Sequence, residues 1–128
     1  DSIIFADIAD VCQSLAEAQG VIVTRAVPDT SRYGSIATDA ENRITAFEEK
    51  QPGAGHINAG IYLLCHAALA DFPATRPLSV EREVFPDLIH QGTGLRAHPV
   101  EAPFLDIGTP ETLPQADPFV SENAAQFA

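Results

Sequence analysis

Two short runs bring together residue types able to hold a phosphorylated, hydroxyl-rich ligand. Phe47-Glu48-Glu49-Lys50 sets two carboxylates beside a lysine, and Ile57-Asn58-Ala59-Gly60-Ile61-Tyr62 follows within ten residues. An ammonium group neutralises phosphate as a point charge and a carboxylate accepts from hydroxyls. Lys50 is therefore the phosphate candidate and Glu49 the hydroxyl acceptor, provided rigid strands hold them. Asn58 can donate and accept, while Ala59 and Gly60 let a ligand approach the main chain. Gly34, directly after Tyr33, offers a second stretch of bare backbone. Each has a plainer alternative: an exposed charged hairpin end for Glu48 to Lys50, a turn or bulge for Gly34, the end of a loop for Asn58.

Asp1 and Asp106 sit at strand edges beside small or polar residues, Ser2 in one case and Ile107-Gly108-Thr109 in the other. Brought together, two carboxylates suit Mg2+, which takes one or two of them and leaves positions for water and phosphate oxygens. Apart, Asp106 would serve the Gly-Thr-Pro turn and Asp1 would be a solvated terminal residue. His56, His66, His90 and His98 have no zinc-like spacing and are read as surface or core residues. Gly-x-Ser-x-Gly and Gly-x-Gly-x-x-Gly are both missing, which argues against serine hydrolysis and dinucleotide binding.

The elements that must position these residues follow an α/β pattern. Asp7 caps a helix expected from Ile8 to Gln19, with Ile8, Val11, Cys12, Leu15 and Ala18 on its apolar face and Gly20 ending it. Val21 to Val27 is β-branched and bounded by Gly20 and Pro28, hence a buried strand. Tyr33–Thr38 and Arg43–Lys50 form a hairpin, and a loop with Pro52, Gly53 and Gly55 leads into a central strand from Ile57 to Cys65. A short helix is expected from Ala67 to Phe72, and Ser79 caps another from Val80 to His90 that Pro86 should distort or divide. Strands follow at Leu95–Val100 and Phe104–Ile107, and Gly108-Thr109-Pro110-Glu111 opens a last short helix before a frayed end. No repeat, heptad or linker divides the chain, so residues 1–128 read as one domain.

The formal net charge is -11, which excludes a basic groove for nucleic acid and attraction to an anionic membrane surface. Cys12 and Cys65 lack C-x-x-C spacing and read as reduced packing residues of a cytoplasmic protein. No apolar run is long enough to span a bilayer, and no basic-then-apolar leader is present. The opening Asp1-Ser2-Ile3-Ile4-Phe5, without methionine, reads as a segment beginning inside a longer protein.

In order and spacing, these fragments resemble the sugar-1-phosphate nucleotidyltransferase family. Asp1-Ser2 resembles the end of its Gly-Asp-Ser element and Ser31-Arg32-Tyr33-Gly34 its Arg-Tyr-Gly segment. Phe47-Glu48-Glu49-Lys50 resembles its Glu-Lys element, Ile57 to Tyr62 the following strand, and Phe104 to Glu111 its Asp-Ile-Gly-Thr-Pro motif. The spelling of Ser79-Val80-Glu81 and Val84-Phe85-Pro86 is most similar to guanylyltransferases acting on D-glycero-D-manno-heptose 1-phosphate or mannose 1-phosphate. The resemblance implies a partial Rossmann-like, glycosyltransferase-A-like mixed sheet with flanking helices. It makes Asp1 and Asp106 the Mg2+ ligands, Lys50 the contact to the sugar phosphate, Glu49 a sugar-hydroxyl contact, and Gly34, Asn58 and Ala59 parts of the pocket wall. Asp1, Lys50 and Asp106 would be the catalytic set.

The implied reaction is nucleotidyl transfer, GMP from GTP, to the sugar 1-phosphate. The family's amino-terminal glycine-rich signature, which wraps the nucleoside triphosphate, does not occur in this sequence. The expectation is therefore the sugar-phosphate half of such an enzyme, inactive alone, with an exposed sheet edge that favours self-association. The alternatives are a non-catalytic sugar-phosphate-binding or regulatory module and a structural interaction domain.

Overall fold

The computed structural model of the protein describes residues 1–127 except Glu17, Glu49, Asp71, Ala74 and Thr93, and the backbone alone of Phe127. Strands β1 (Ser2–Ile4) and β7 (Phe104–Asp106) pair as an antiparallel ribbon. The other five, β2 (Gly20–Val27), β3 (Ser35–Thr38), β4 (Ile44–Glu48), β5 (Gly55–Leu64) and β6 (Leu95–Val100), form one sheet in the order β4-β3-β5-β2-β6. The β2–β6 ladder is parallel and the rest are antiparallel, so the sheet is mixed. Helices α1 (Ile8–Leu15), α2 (Phe85–His90) and α3 (Ala116–Glu122) complete the expected α/β arrangement.

Alternation along β2 sorts the core onto two faces, because successive strand side chains point to opposite sides. Val21 and Val23 join Val11 of α1 and Ala59 of β5 on one face, with Ile4 and Phe104 packed against them. Ile22 points the other way and joins Ile36, Ile44, Val84, Phe85 and Leu88. Both Val23 and Ile22 are 0% exposed, as a strand between two packed layers requires. Full burial of such aliphatic side chains contributes about 1.5–3 kcal/mol each.

Several expectations change. Helix α1 stops at Leu15 because Ala16 turns to a φ of 41°, and Gly20 opens β2 instead of capping the helix. A side chain at Gly20 would lie 2.5 Å from Leu64 and 2.8 Å from Leu95, so close packing is what requires glycine there. The expected apolar face of α1 is only partly buried: Val11 is in the core, but Ile8 is 60% exposed and Cys12 is also exposed. Asp7 does cap the helix, accepting from the Ala9 N–H at 2.8 Å. The opening residues form β1, whose partner strand lies a hundred or more residues away. Near the carboxyl end, the Thr109 hydroxyl accepts from the Thr112 N–H as expected of a cap, yet regular α-helix begins only at Ala116, after a 3₁₀ turn over Leu113–Gln115.

The segment after Ser79 divides where Pro86 demands it. Val80–Val84 winds as a π-turn and α2 follows, with Pro86 in the first turn of α2, where a missing N–H costs nothing. The Ser79 hydroxyl accepts from the Arg82 N–H at 3.2 Å, and the Glu83 carboxylate accepts from the Ser79 N–H at 3.0 Å. This reciprocal cap fixes where the π-turn starts. No helix of the described residues is long and apolar enough to cross a membrane.

Candidate functional site

The β3–β4 hairpin, the middle of β5 and the π-turn surround a cavity of about 260 Å³ lined by Gly34, Lys50, Asn58, Glu48 and Glu81, with Ile36 and Phe47 among its apolar walls. Three of the predicted residues, Gly34, Lys50 and Asn58, therefore come together. Ala59 does not join them. Strand alternation turns it to the opposite face, where it is 1% exposed in the α1 core, so its side chain is no part of this wall. Glu49 lies outside the described residues.

Each wall has a local cause. In the hairpin, Ser35 is directly opposite Glu48, and its hydroxyl donates to Glu48 Oε2 at 3.1 Å. A Cβ on Gly34 would lie 3.2 Å from the Glu48 carbonyl oxygen, so the two backbones approach more closely than a side chain comfortably permits. In β5 the ladder to β2 shifts between Ile22 and Thr24, and Gly60 takes a φ of 85° within that bulge. Asn58 Oδ1 accepts from the Gly60 N–H at 2.9 Å, and Asn58 Nδ2 donates to the Tyr62 hydroxyl at 2.7 Å. Asn58 is thus both a wall of the cavity and the brace of the bulge.

Asp1 and Asp106 are brought together beside the same bulge. The Ile107 N–H donates to the Asp1 carbonyl at 2.7 Å, extending the β1–β7 ribbon by one rung. A methyl group on Gly108 would sit 3.1 Å from Asp106 Oδ1 and 3.6 Å from Asp1 Oδ2, so both carboxylates border one small volume. The Ser2 hydroxyl is 3.9 Å from the position of a Cβ on Gly60, which seats the start of β1 against β5. Tyr33 ties the same region to the cavity, since its ring meets Phe104 of β7 edge-on at 6.3 Å while the next residue, Gly34, lines the cavity. Asp106 also serves its turn, Oδ1 accepting from the Gly108 N–H at 2.9 Å. A carboxylate has about four acceptor sites, so this bond does not exhaust it.

Among the described residues, no group of three or more His, Cys, Asp or Glu side chains is arranged to hold a metal ion. The Asp1–Asp106 pair still fits Mg2+, which is commonly held by one or two carboxylates with water and ligand phosphate completing its shell. Among the described residues of the site, Tyr62 is the titratable group with a distinct shift. Burial, reinforced by the negative charge of Glu81, raises its hydroxyl above the ordinary 10.0, while the bond from Asn58 works in the opposite direction. A larger hollow of about 750 Å³ lies between the β1–α1 junction and β6, and none of the predicted site residues lines it. Ser35 escaped the sequence motifs and becomes visible only through hairpin register, whereas Glu81 stood in the Ser79-Val80-Glu81 spelling with no role at the site assigned to it.

A family model described as Nucleotidyl transferase matches residues 1–123. The mannose-1-phosphate guanylyltransferase of Mycobacterium tuberculosis is 41% identical over 88 residues, covering 66% of this chain and 24% of that protein. The mannose-1-phosphate guanyltransferase of Candida albicans is 35% identical over 111 residues, covering 84% of this chain and 30% of that protein. The crystal structure of HddC from Yersinia pseudotuberculosis superposes with a TM-score of 0.76 at 30% identity, over 91% of this chain and 50% of that one. The same protein complexed with GMP-PN gives a TM-score of 0.75. The chain thus spans half or less of the length of each of these proteins.

Proposed function

Because the chain belongs to the nucleotidyl transferase family, we propose that it forms the sugar-phosphate side of an enzyme that transfers GMP from GTP to mannose or heptose 1-phosphate. The reading is carried by the assembly of Gly34, Lys50 and Asn58 around one cavity, flanking the bulge on which Asp1 and Asp106 converge. The names of the relatives support mannose 1-phosphate, and the GMP-PN complex of HddC supports a guanine nucleotide.

In the reaction, a phosphate oxygen of the sugar 1-phosphate attacks the α-phosphorus of the triphosphate in line. A new P–O bond forms, the bond to the bridging oxygen breaks, and pyrophosphate carries away the electron pair. A phosphate monoester has a second pKa of about 6 and is already largely dianionic at neutral pH, so no protein base need activate it. Lys50 holds the sugar phosphate by charge and orients the attacking oxygen. Glu49, Asn58 and the bare backbone at Gly34 hold the sugar. Asp1 and Asp106 would hold Mg2+, which when bound supplies neutralisation of phosphate charge. The groups that wrap the triphosphate are to come from outside these residues. Cys12 and Cys65 are both free thiols, which suits a reducing cytoplasm.

Titration calorimetry of the chain with mannose 1-phosphate tests the proposal. Binding is expected, and Lys50→Ala should weaken it about tenfold or more, the scale of a lost charge-assisted contact. Incubation with GTP, Mg2+ and mannose 1-phosphate should release no pyrophosphate. Absence of binding would sink the sugar-phosphate assignment, and pyrophosphate release would sink the division of labour.

A further inference from the structure

The π-turn contributes a carboxylate to the cavity, and the residues that face it are already committed. Asn58 uses Oδ1 on the Gly60 N–H and Nδ2 on the Tyr62 hydroxyl. Both Asn58 Nδ2 and the Tyr62 hydroxyl then reach Glu81 Oε1, each at 3.4 Å. These contacts are long and converge on one oxygen, so they aim the carboxylate without using up its acceptor sites. Among the described residues, Oε2 accepts no hydrogen bond.

Glu81 is exposed at the rim of the cavity, in the π-turn that leads into the buried Phe85. The Tyr62 ring packs edge-on against Phe85 at 5.0 Å, which locks the hydroxyl that points at Glu81. With its ionisation pushed upward, that hydroxyl stays protonated and remains able to donate. Glu81 also places negative charge in the cavity that holds Lys50. Bare phosphate is opposed by that charge, whereas a sugar phosphate can offset it with hydroxyl donors.

We propose that Glu81, aimed by Asn58 and Tyr62, accepts hydrogen bonds from the sugar hydroxyls and makes the cavity select a hexose phosphate over free phosphate; this rests on the sugar-phosphate reading above. The expected signature is weaker binding of the sugar phosphate with no weakening of inorganic phosphate, which loss of folding cannot mimic.

Calorimetric titration of the wild-type chain, Glu81→Gln, Tyr62→Phe and Lys50→Ala with mannose 1-phosphate and with inorganic phosphate reads it directly. Glu81→Gln should weaken mannose 1-phosphate about tenfold, the scale of one hydrogen bond to a charged group, and leave inorganic phosphate unchanged or tighter. Tyr62→Phe keeps the ring and removes the hydroxyl, so it should weaken the sugar phosphate alone. Thermal unfolding of each variant checks that the fold persists. If Lys50→Ala weakens both ligands while Glu81→Gln weakens neither or both alike, the role of Glu81 is overturned and the sugar-phosphate reading stands. If wild type fails to bind mannose 1-phosphate, or Lys50→Ala leaves its binding unchanged, the reading falls and the role of Glu81 falls with it.

Discussion

At the scale of single residues, Gly108 leaves open the small volume that the Asp1 and Asp106 carboxylates border, where the proposed Mg2+ would sit. A methyl group there would press on Asp106 Oδ1 at 3.1 Å and on the Asp1 Cβ at 3.4 Å. Gly108→Ala should therefore weaken Mn2+ or Mg2+ binding, read by Mn2+ spin resonance or calorimetry, while shifting the unfolding temperature little. Equal loss of stability and metal affinity would instead indicate a structural glycine. Asp106 and Lys50 stood out in the sequence because each falls at the end of a run with strand character, and Asp1 because it opens one. The fate of Ala59 was not legible there, because a motif gives adjacency along the chain, whereas faces are assigned by which strand a residue pairs with. Asn58 and Ala59 are neighbours in sequence and belong to opposite sides of the sheet. Glu81 stood in the Ser79-Val80-Glu81 spelling without a role, because its approach to Asn58 and Tyr62 of β5 has no local sign.

At the scale of elements, the cap before the π-turn controls where Glu81 is presented. Ser79→Ala removes the acceptor for the Arg82 N–H and should cost about 1 kcal/mol, read by denaturant unfolding. The same cap carries a pH dependence. The Arg76 guanidinium, 2.6 Å from Glu83, and then the Ser79 N–H hold the Glu83 carboxyl below its ordinary 4.5. A lowered folded-state pKa means that this contribution is fully present above about pH 4.5 and is lost as pH falls through the lower folded value. Glu83→Gln should flatten the stability profile in that acid window and lower it slightly near neutrality, where the wild-type contribution is fully present. Both groups are exposed, so the effect is small and screened by salt. Most elements were readable because their signals are local: Asp7 and Ser79 as caps, Pro86 as a divider, and a β-branched run for β2. The early end of α1 was not, since nothing in the alanine-rich run from Leu15 to Ala18 announces the turn at Ala16.

For the whole molecule, Phe85 joins the parts. It stacks on Phe47 of β4 at 5.6 Å, meets Tyr62 of β5 at 5.0 Å, and is 0% exposed. Phe85→Ala should destabilise the protein by about 3–5 kcal/mol, read by chemical denaturation. It should also loosen ligand binding, because both cavity-facing strands lean on that ring. Ribbon β1–β7 pairs β1 on one side only, and an unpaired edge favours association. Sedimentation velocity should show a concentration-dependent average mass, and a constant monomer mass would count against an adhesive edge.

The hairpin that carries Gly34, Glu48 and Ser35 is joined to β5 through the register pair Ser35–Ile57, and at its far end the Ala97 N–H donates to the Asn42 carbonyl at 2.8 Å. Arg43 and Arg96 face each other across that contact. The Ala97 amide therefore exchanges with solvent only when the hairpin swings away, so its deuterium uptake is a clock for one wall of the cavity. Mannose 1-phosphate should slow that clock without altering amides in the middle of β2.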